Sequence, residues 1–241
     1  MPNKPSIVLV HGAWADGSSW NKIIPQLEEA GYNVVATQHP LTTLADDAEI
    51  TRRLCEAQTG AVLLVGHSYG GAVITEAAGK CPNVTALVYI AAFGPDAGES
   101  LTSLSAGGAP PPGAAAIRPD KYGRLWLDKA LFNENFCGDV EDEEANTLAA
   151  TQKPISVQCF QDTITNAGWK NLPNWYMIAA NDRMIPPAAE QFMAERMKAK
   201  IIFLPSSHVP MISHPDEVAD FILQAARSIV PATVNEAEIE E

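Results

Sequence analysis

A mostly parallel, doubly wound α/β sheet is the fold class this sequence predicts. Two observations carry the prediction: short apolar runs alternate with segments of helical periodicity along most of the chain, and successive runs lie far enough apart for a helix to cross back over the sheet. A third is local. The run Ala61 to Val65 ends at a glycine and passes into small residues that open a helix, the kind of junction at which open α/β sheets build their sites.

The elements follow in order. Ser6-Ile7-Val8-Leu9-Val10 reads as the first strand. Ser18 to Ala30 spaces Trp20, Ile23, Ile24, Leu27 and Ala30 as one helical stripe, and Gly31 closes it. Tyr32 to Ala36 is the next strand, and Leu44 to Gln58 the next helix, with Leu44, Ala48, Leu54 and Cys55 facing the core. Ala61 to Val65 leads through its turn into a helix, and Val84 to Ala91 is a further strand. The alternation resumes with Trp175 to Ala179, Pro187 to Lys198, Lys200 to Leu204 and Asp216 to Ser228.

Residues 95–170 break this rhythm. A piece so long between two strands is expected to fold as a lid over the strand ends, with short helices over Tyr122 to Leu131 and Asp142 to Ala150. Gly107-Gly108-Ala109-Pro110-Pro111-Pro112-Gly113 is expected to be a mobile flap. The core is then residues 1–94 and 171–230, and the acidic, core-poor segment 231–241 is expected to be disordered.

The junction after Val65 reads Gly66-His67-Ser68-Tyr69-Gly70-Gly71. Gly-x-Ser-x-Gly between a strand and a helix is a nucleophile elbow: a sharp turn pushes the serine hydroxyl into the open, and its neighbours must be small because strand and helix backbones pass close together. A serine hydroxyl needs a base, and the base an orienting carboxylate. Of the five histidines, His67 points away from its neighbour, His39 reads as a solvated loop residue, and His214 opens the last helix. His11 belongs to the first loop, which it is expected to hold by hydrogen bonds. His208, in a loop at the end of the strand Lys200 to Leu204, remains as the general base.

Two acids lie at strand ends between Ser68 and His208: Asp96 and Asp182. Asp182 is favoured because its strand should neighbour the one leading to His208. Negative charge on the substrate needs backbone donors, supplied by Tyr69, which follows the nucleophile, and by Ala13 in the loop His11-Gly12-Ala13-Trp14.

These pieces in this order resemble the α/β-hydrolase superfamily, in the branch of small esterases, plant methyl-ester hydrolases and hydroxynitrile lyases. The likeness covers most of residues 5–230 and is weak between 95 and 170. It implies an α/β-hydrolase fold with a helical lid, Ser68, Asp182 and His208 as a triad, and the Ala13 and Tyr69 amides as an oxyanion hole. The lyases of this branch place lysine after the catalytic histidine and threonine after the first-loop histidine, where this chain has Val209 and Gly12. Hydrolysis of small carboxylic esters through an acyl-enzyme is therefore the expected chemistry, with no metal or organic cofactor. A lyase, a perhydrolase or a cofactor-free oxygenase on the same fold, and a non-catalytic receptor, are the alternatives.

Trp126, Leu127, Leu131, Phe132, Phe136, Phe160 and Trp169 are candidates for the roof of an apolar pocket, with Trp14 and Met211 in its walls. At 241 residues one domain with a sizeable core is expected. The net charge of −13 argues against nucleic acid and anionic membranes as partners. Oligomeric state, including a homodimer, stays open. The four cysteines show no metal or redox spacing, and the first strand starts too near Met1 for a signal peptide, so a cytoplasmic location is expected.

Overall fold

The computed structural model describes residues 4–106 and 108–229; Gly107 and the acidic segment 231–241, for which a flap and disorder are expected, lie outside the described residues. The core elements are β1 (Ser6–Val10), α1 (Ile24–Glu29), β2 (Val34–Ala36), α2 (Leu44–Glu56), β3 (Val62–Ser68), α3 (Tyr69–Ala78) and β4 (Val84–Ala92). The segment that follows holds α4 (Leu101–Leu104), β5 (Ile117–Pro119), β6 (Arg124–Leu127), α5 (Lys129–Phe136), α6 (Asp142–Thr151), β7 (Ile155–Ser156) and α7 (Gln158–Gln161). The chain then completes the sheet with β8 (Asn174–Ala179), α8 (Pro187–Arg196), β9 (Lys200–Leu204), α9 (Pro210–Ser213) and α10 (Pro215–Ser228).

Six strands form one sheet in the order β2-β1-β3-β4-β8-β9, every neighbouring pair parallel. The order reverses between β1 and β3, so loops after these strands meet at one edge, where a parallel sheet opens a crevice. β8 and β9 are neighbours in register from Trp175↔Lys200 to Ala179↔Leu204, which brings the loops after them to the same corner. β1 and β3 are buried along their whole length. Each Val, Leu or Ile so covered contributes about 1.5–3 kcal/mol relative to exposure. All ten residues of α3 are buried as well, which explains why so many of them are small. This is the α/β-hydrolase fold with a mostly parallel sheet.

Where the lid was expected, the structure has a second, antiparallel sheet of three strands, β5-β6-β7, alongside short helices. The expected helix over Tyr122 to Leu131 is not formed. Asp120 Oδ1 accepts the N–H groups of Tyr122 and Arg124 at 2.8 and 2.9 Å, and Gly123 sits at φ 76°. That turn sends the chain back as β6 instead of letting it coil, and a helix starts only at Lys129, capped by Asp128. The first expected helix is shorter too: a 3₁₀ turn capped by Asp16 covers Gly17–Trp20, and α1 begins at Ile24. No helix among the described residues is long and apolar enough to cross a membrane.

Candidate active site

Ser68 ends β3 and precedes α3 with φ 53° and ψ −123°, a left-handed conformation that costs a residue with a side chain roughly 1–3 kcal/mol. The small neighbours make the turn possible. A Cβ on Gly66 would lie 2.7 Å from Gly70 O, and one on Gly70 would lie 2.5 Å from Val10 O. Gly12 meets the same limit from the other side, since a Cβ there would stand 2.7 Å from Ser68 Cβ. The first loop therefore rests directly on the serine, and alanine at Gly12 would push it away.

The imidazole of His208, in the loop between β9 and α9, sits between two partners. Its Nε2 is 2.8 Å from Ser68 Oγ and its Nδ1 is 2.5 Å from Asp182 Oδ2. The other Asp182 oxygen accepts the N–H groups of Met184 and Ile185 at 2.6 and 2.9 Å. With Asp182 bonded to Nδ1, that nitrogen carries the proton and Nε2 is free to accept from the serine. The competing acid, Asp96, is turned away into an ion pair with Lys170 at 2.5 Å. His67 points away from the hydroxyl as expected, but it does more than turn away: its Nε2–H donates to the backbone oxygen of His208 at 2.7 Å. Burial and the neighbouring His208 hold His67 well below the usual imidazole range, so it stays a neutral strut.

The two backbone donors come from loops held by buried polar groups. Ala13 N–H meets no protein acceptor among the described residues, and Tyr69 N–H is the first of α3, where no intrahelical acceptor exists. His11 Nε2 accepts from His39 N at 3.1 Å, which leaves Nδ1–H to donate to Gly12 O at 2.9 Å. Burial lowers His11 to about 4, so this neutral tautomer persists. His39, expected in solvent, is fully buried. Its ring packs 4.9 Å from that of His11, and Thr51 Oγ1 meets its Nε2 at 2.8 Å.

Tyr69 is fixed by its hydroxyl, which donates to Asp47 Oδ2 at 2.8 Å in the protein interior. Burial raises Asp47 from 3.8 to about 6 despite the Tyr69 and Leu41 hydrogen bonds. A carboxyl raised in this way contributes stability that is complete below 3.8 and lost as pH climbs through 6. The deficit of an Asp47→Asn variant relative to the parent is therefore about 2 kcal/mol larger near pH 4.5 than near pH 7.5. Urea unfolding of both proteins at the two pH values checks this; an equal deficit at both would contradict it.

Ser68 and His208 open onto a cavity of about 470 Å³ whose walls include Ala13, Phe93, Leu101, Phe160 and Met184. Among the described residues no Lys, Arg, Asp or Glu lines it. Of the residues expected at the pocket, Trp14 lines the cavity, and its Nε1–H ties the first loop to Leu125 O in β6 at 3.0 Å. Phe160 lines it as well, whereas Leu127, Leu131 and Trp169 do not, and neither do the remaining four. Trp126 is on the outer side of β6, 38 % exposed and bonded to Asp120. Phe132 is fully buried within the inserted segment against Phe136. The Phe136 ring lies 5.3 Å from that of His208 and 6.3 Å from that of Trp14, packing behind the site. Met211 is buried under the first loop. The walls missed from the sequence are Phe93, Leu101, Met184 and Ile185. Met184 and Ile185 follow Asp182 by two and three residues and could have been found there. Among the described residues no group of three or more His, Cys, Asp or Glu side chains is placed to hold a metal ion.

The family model described as alpha/beta hydrolase family matches residues 7–221. A carbendazim hydrolyzing esterase of Nocardioides sp. is 34% identical over 243 residues, covering 89% of this chain and 97% of its own. Methylesterase 2 of Arabidopsis thaliana is 25% identical over 256 residues, covering 92% of this chain and 96% of its own. Among solved structures, a pyrethroid hydrolase from Sphingobium faniae superposes with a TM-score of 0.83 at 25% identity, covering 93% of this chain and 98% of that one.

Proposed function

The chain belongs to the alpha/beta hydrolase family and is an esterase-type hydrolase, and from that premise we propose that it cleaves small, apolar carboxylic esters through an acyl-enzyme on Ser68. The observation that carries this reading is the unbroken line from Ser68 Oγ to His208 Nε2 and from Nδ1 to Asp182, opening on an uncharged cavity. Relatives named as esterases for carbendazim and as methylesterases support the same chemistry.

In this mechanism His208 Nε2 takes the proton as Ser68 Oγ bonds to the ester carbonyl carbon. The carbonyl oxygen gains the negative charge, and the Ala13 and Tyr69 amides donate to it; an oxyanion donor is typically worth about 10²–10³ in kcat. His208 then gives its proton to the departing alkoxide, which leaves as an alcohol. Water, deprotonated by the same nitrogen, attacks the acyl group and frees the acid and the serine. Asp182 keeps the imidazole in one tautomer and stabilises the imidazolium formed in both halves. No step in this scheme calls for a metal or an organic cofactor.

The substrate is a small molecule, and the lining selects it. A charged acyl group would lose its hydration in a cavity without a counter-charge. Esters with apolar acyl chains are therefore expected to show kcat/KM at least about tenfold above an anionic hemisuccinate of the same phenol, since burying an unpaired charge costs more than the roughly 1.4 kcal/mol that tenfold represents. A p-nitrophenyl ester panel measures this; equal values would refute the assignment of the cavity as the acyl site. The four cysteines are free and buried, which supports action in the reducing cytoplasm.

A further inference from the structure

Behind the three side chains lies a fourth ionisable group that the scheme above does not use. Glu190 projects from α8 and is wholly buried. One of its oxygens accepts Ala179 N–H at 3.2 Å, at the end of β8, and the other meets no N–H or O–H donor among the described residues. Asp182 is tied to the same peptide, its N–H donating to Ala179 O at 3.1 Å, so two buried carboxyl groups flank one residue and act on each other. Two carboxyl groups in contact away from water cannot both be ionised; they share a proton, and the better-solvated one keeps the charge. The donor count decides which. Asp182 receives Met184 N–H, Ile185 N–H and His208 Nδ1–H, whereas Glu190 receives only Ala179 N–H.

The geometry points to Glu190 as a positioning residue, held as the neutral acid and donating its O–H to Asp182, so that the line of hydrogen bonds runs Glu190, Asp182, His208, Ser68. Burial and the adjacent Asp182 charge push Glu190 well above the usual carboxylate range. Among the described residues Tyr176 of β8 is a further titratable group that faces it. Burial raises that phenol as well, and its hydroxyl donates to Ala92 O, so it is neutral and offers Glu190 no counter-charge. On the serine-hydrolase reading given above, the consequence is electrostatic. A donor on Asp182 drains part of its charge, and the imidazolium of His208 is less stabilised than it would be by an unassisted aspartate. The carboxylate is also held in the plane that serves Nδ1.

Glu190→Gln and Glu190→Leu separate the possibilities. Glutamine keeps both functions, accepting from Ala179 and donating to Asp182, and leaves the local charge as it is for a neutral acid. Leucine removes the donor. The readout is the His208 titration followed by NMR in a Ser68→Ala background, which needs no turnover and so stands apart from whether the chain hydrolyses esters. Glu190→Gln is expected to leave the His208 midpoint in place, while Glu190→Leu raises it by about one pH unit, the size of effect a hydrogen bond to a charged group produces. A fall of the midpoint in Glu190→Gln would overturn the inference, because it would mean that a negative charge had been removed. An unchanged midpoint in folded Glu190→Leu would overturn it as well. Should the leucine variant fail to fold, the glutamine variant alone decides.

Discussion

Ser68→Ala is expected to lower kcat on p-nitrophenyl acetate by about 10⁶-fold, the usual cost of removing a nucleophile from a site of the kind proposed. The size follows from having no substitute at hand. His208 Nε2 is aimed at Ser68 Oγ from 2.8 Å, whereas the hydroxyls of Thr102, Ser105 and Tyr69 on the cavity wall are turned to Phe160 O, Leu101 O and Asp47. The loss is one of chemistry, not of structure. Alanine suffers the same strain as serine at φ 53°, so the variant should melt within a few degrees of the parent. Its residual rate should still exceed that of water by about 10³–10⁴, because the two amides and the cavity remain. Retention of most of the parent activity would remove Ser68 from the reaction.

Asp182→Asn is the second large effect, a fall in kcat of about 10⁴. The cause can be traced to a single proton. Oδ1 of Asp182 is held by two backbone N–H groups, from Met184 and Ile185, so asparagine keeps its carbonyl oxygen there and turns its amide toward His208. Nδ1 must then accept instead of donate. The proton moves to Nε2, where it faces Ser68 Oγ and can no longer receive the hydroxyl proton. Asp96→Asn, which breaks only the surface ion pair with Lys170, should leave kcat within about twofold, as exposed pairs contribute little. Steady-state rates of both variants with one ester check the pair; a comparable loss from Asp96→Asn would point to the other acid.

The parts of the site that can be read from the sequence are those whose chemistry demands a residue type at a fixed place in the chain. The glycines about Ser68 are dictated by backbone contacts, and Asp182 and His208 announce themselves by following apolar strands. The register of β8 against β9 turns that adjacency into contact. What escaped detection depends on neighbours distant in sequence. His39 looks like a solvated loop residue until Thr51 and His11, distant in sequence, are seen to enclose its ring. The turn at Asp120 to Arg124 overrides helical spacing and makes β6. Aromatic residues of the inserted segment are indistinguishable by type alone: Phe160 lines the cavity while Phe132 fills the interior. Glu190 is one more polar residue of the helix expected from Pro187 to Lys198, and only its burial beside Asp182 marks it out.

Mixing the enzyme with p-nitrophenyl acetate, quenching in acid within the first turnover and mapping the peptides by mass spectrometry asks the most direct question of all. The expected result is one acetyl group on the peptide containing Ser68, formed with a burst of p-nitrophenol close to one equivalent per chain, and absent from Ser68→Ala. An ester that is turned over with the acetyl group on another side chain would contradict the proposed chemistry.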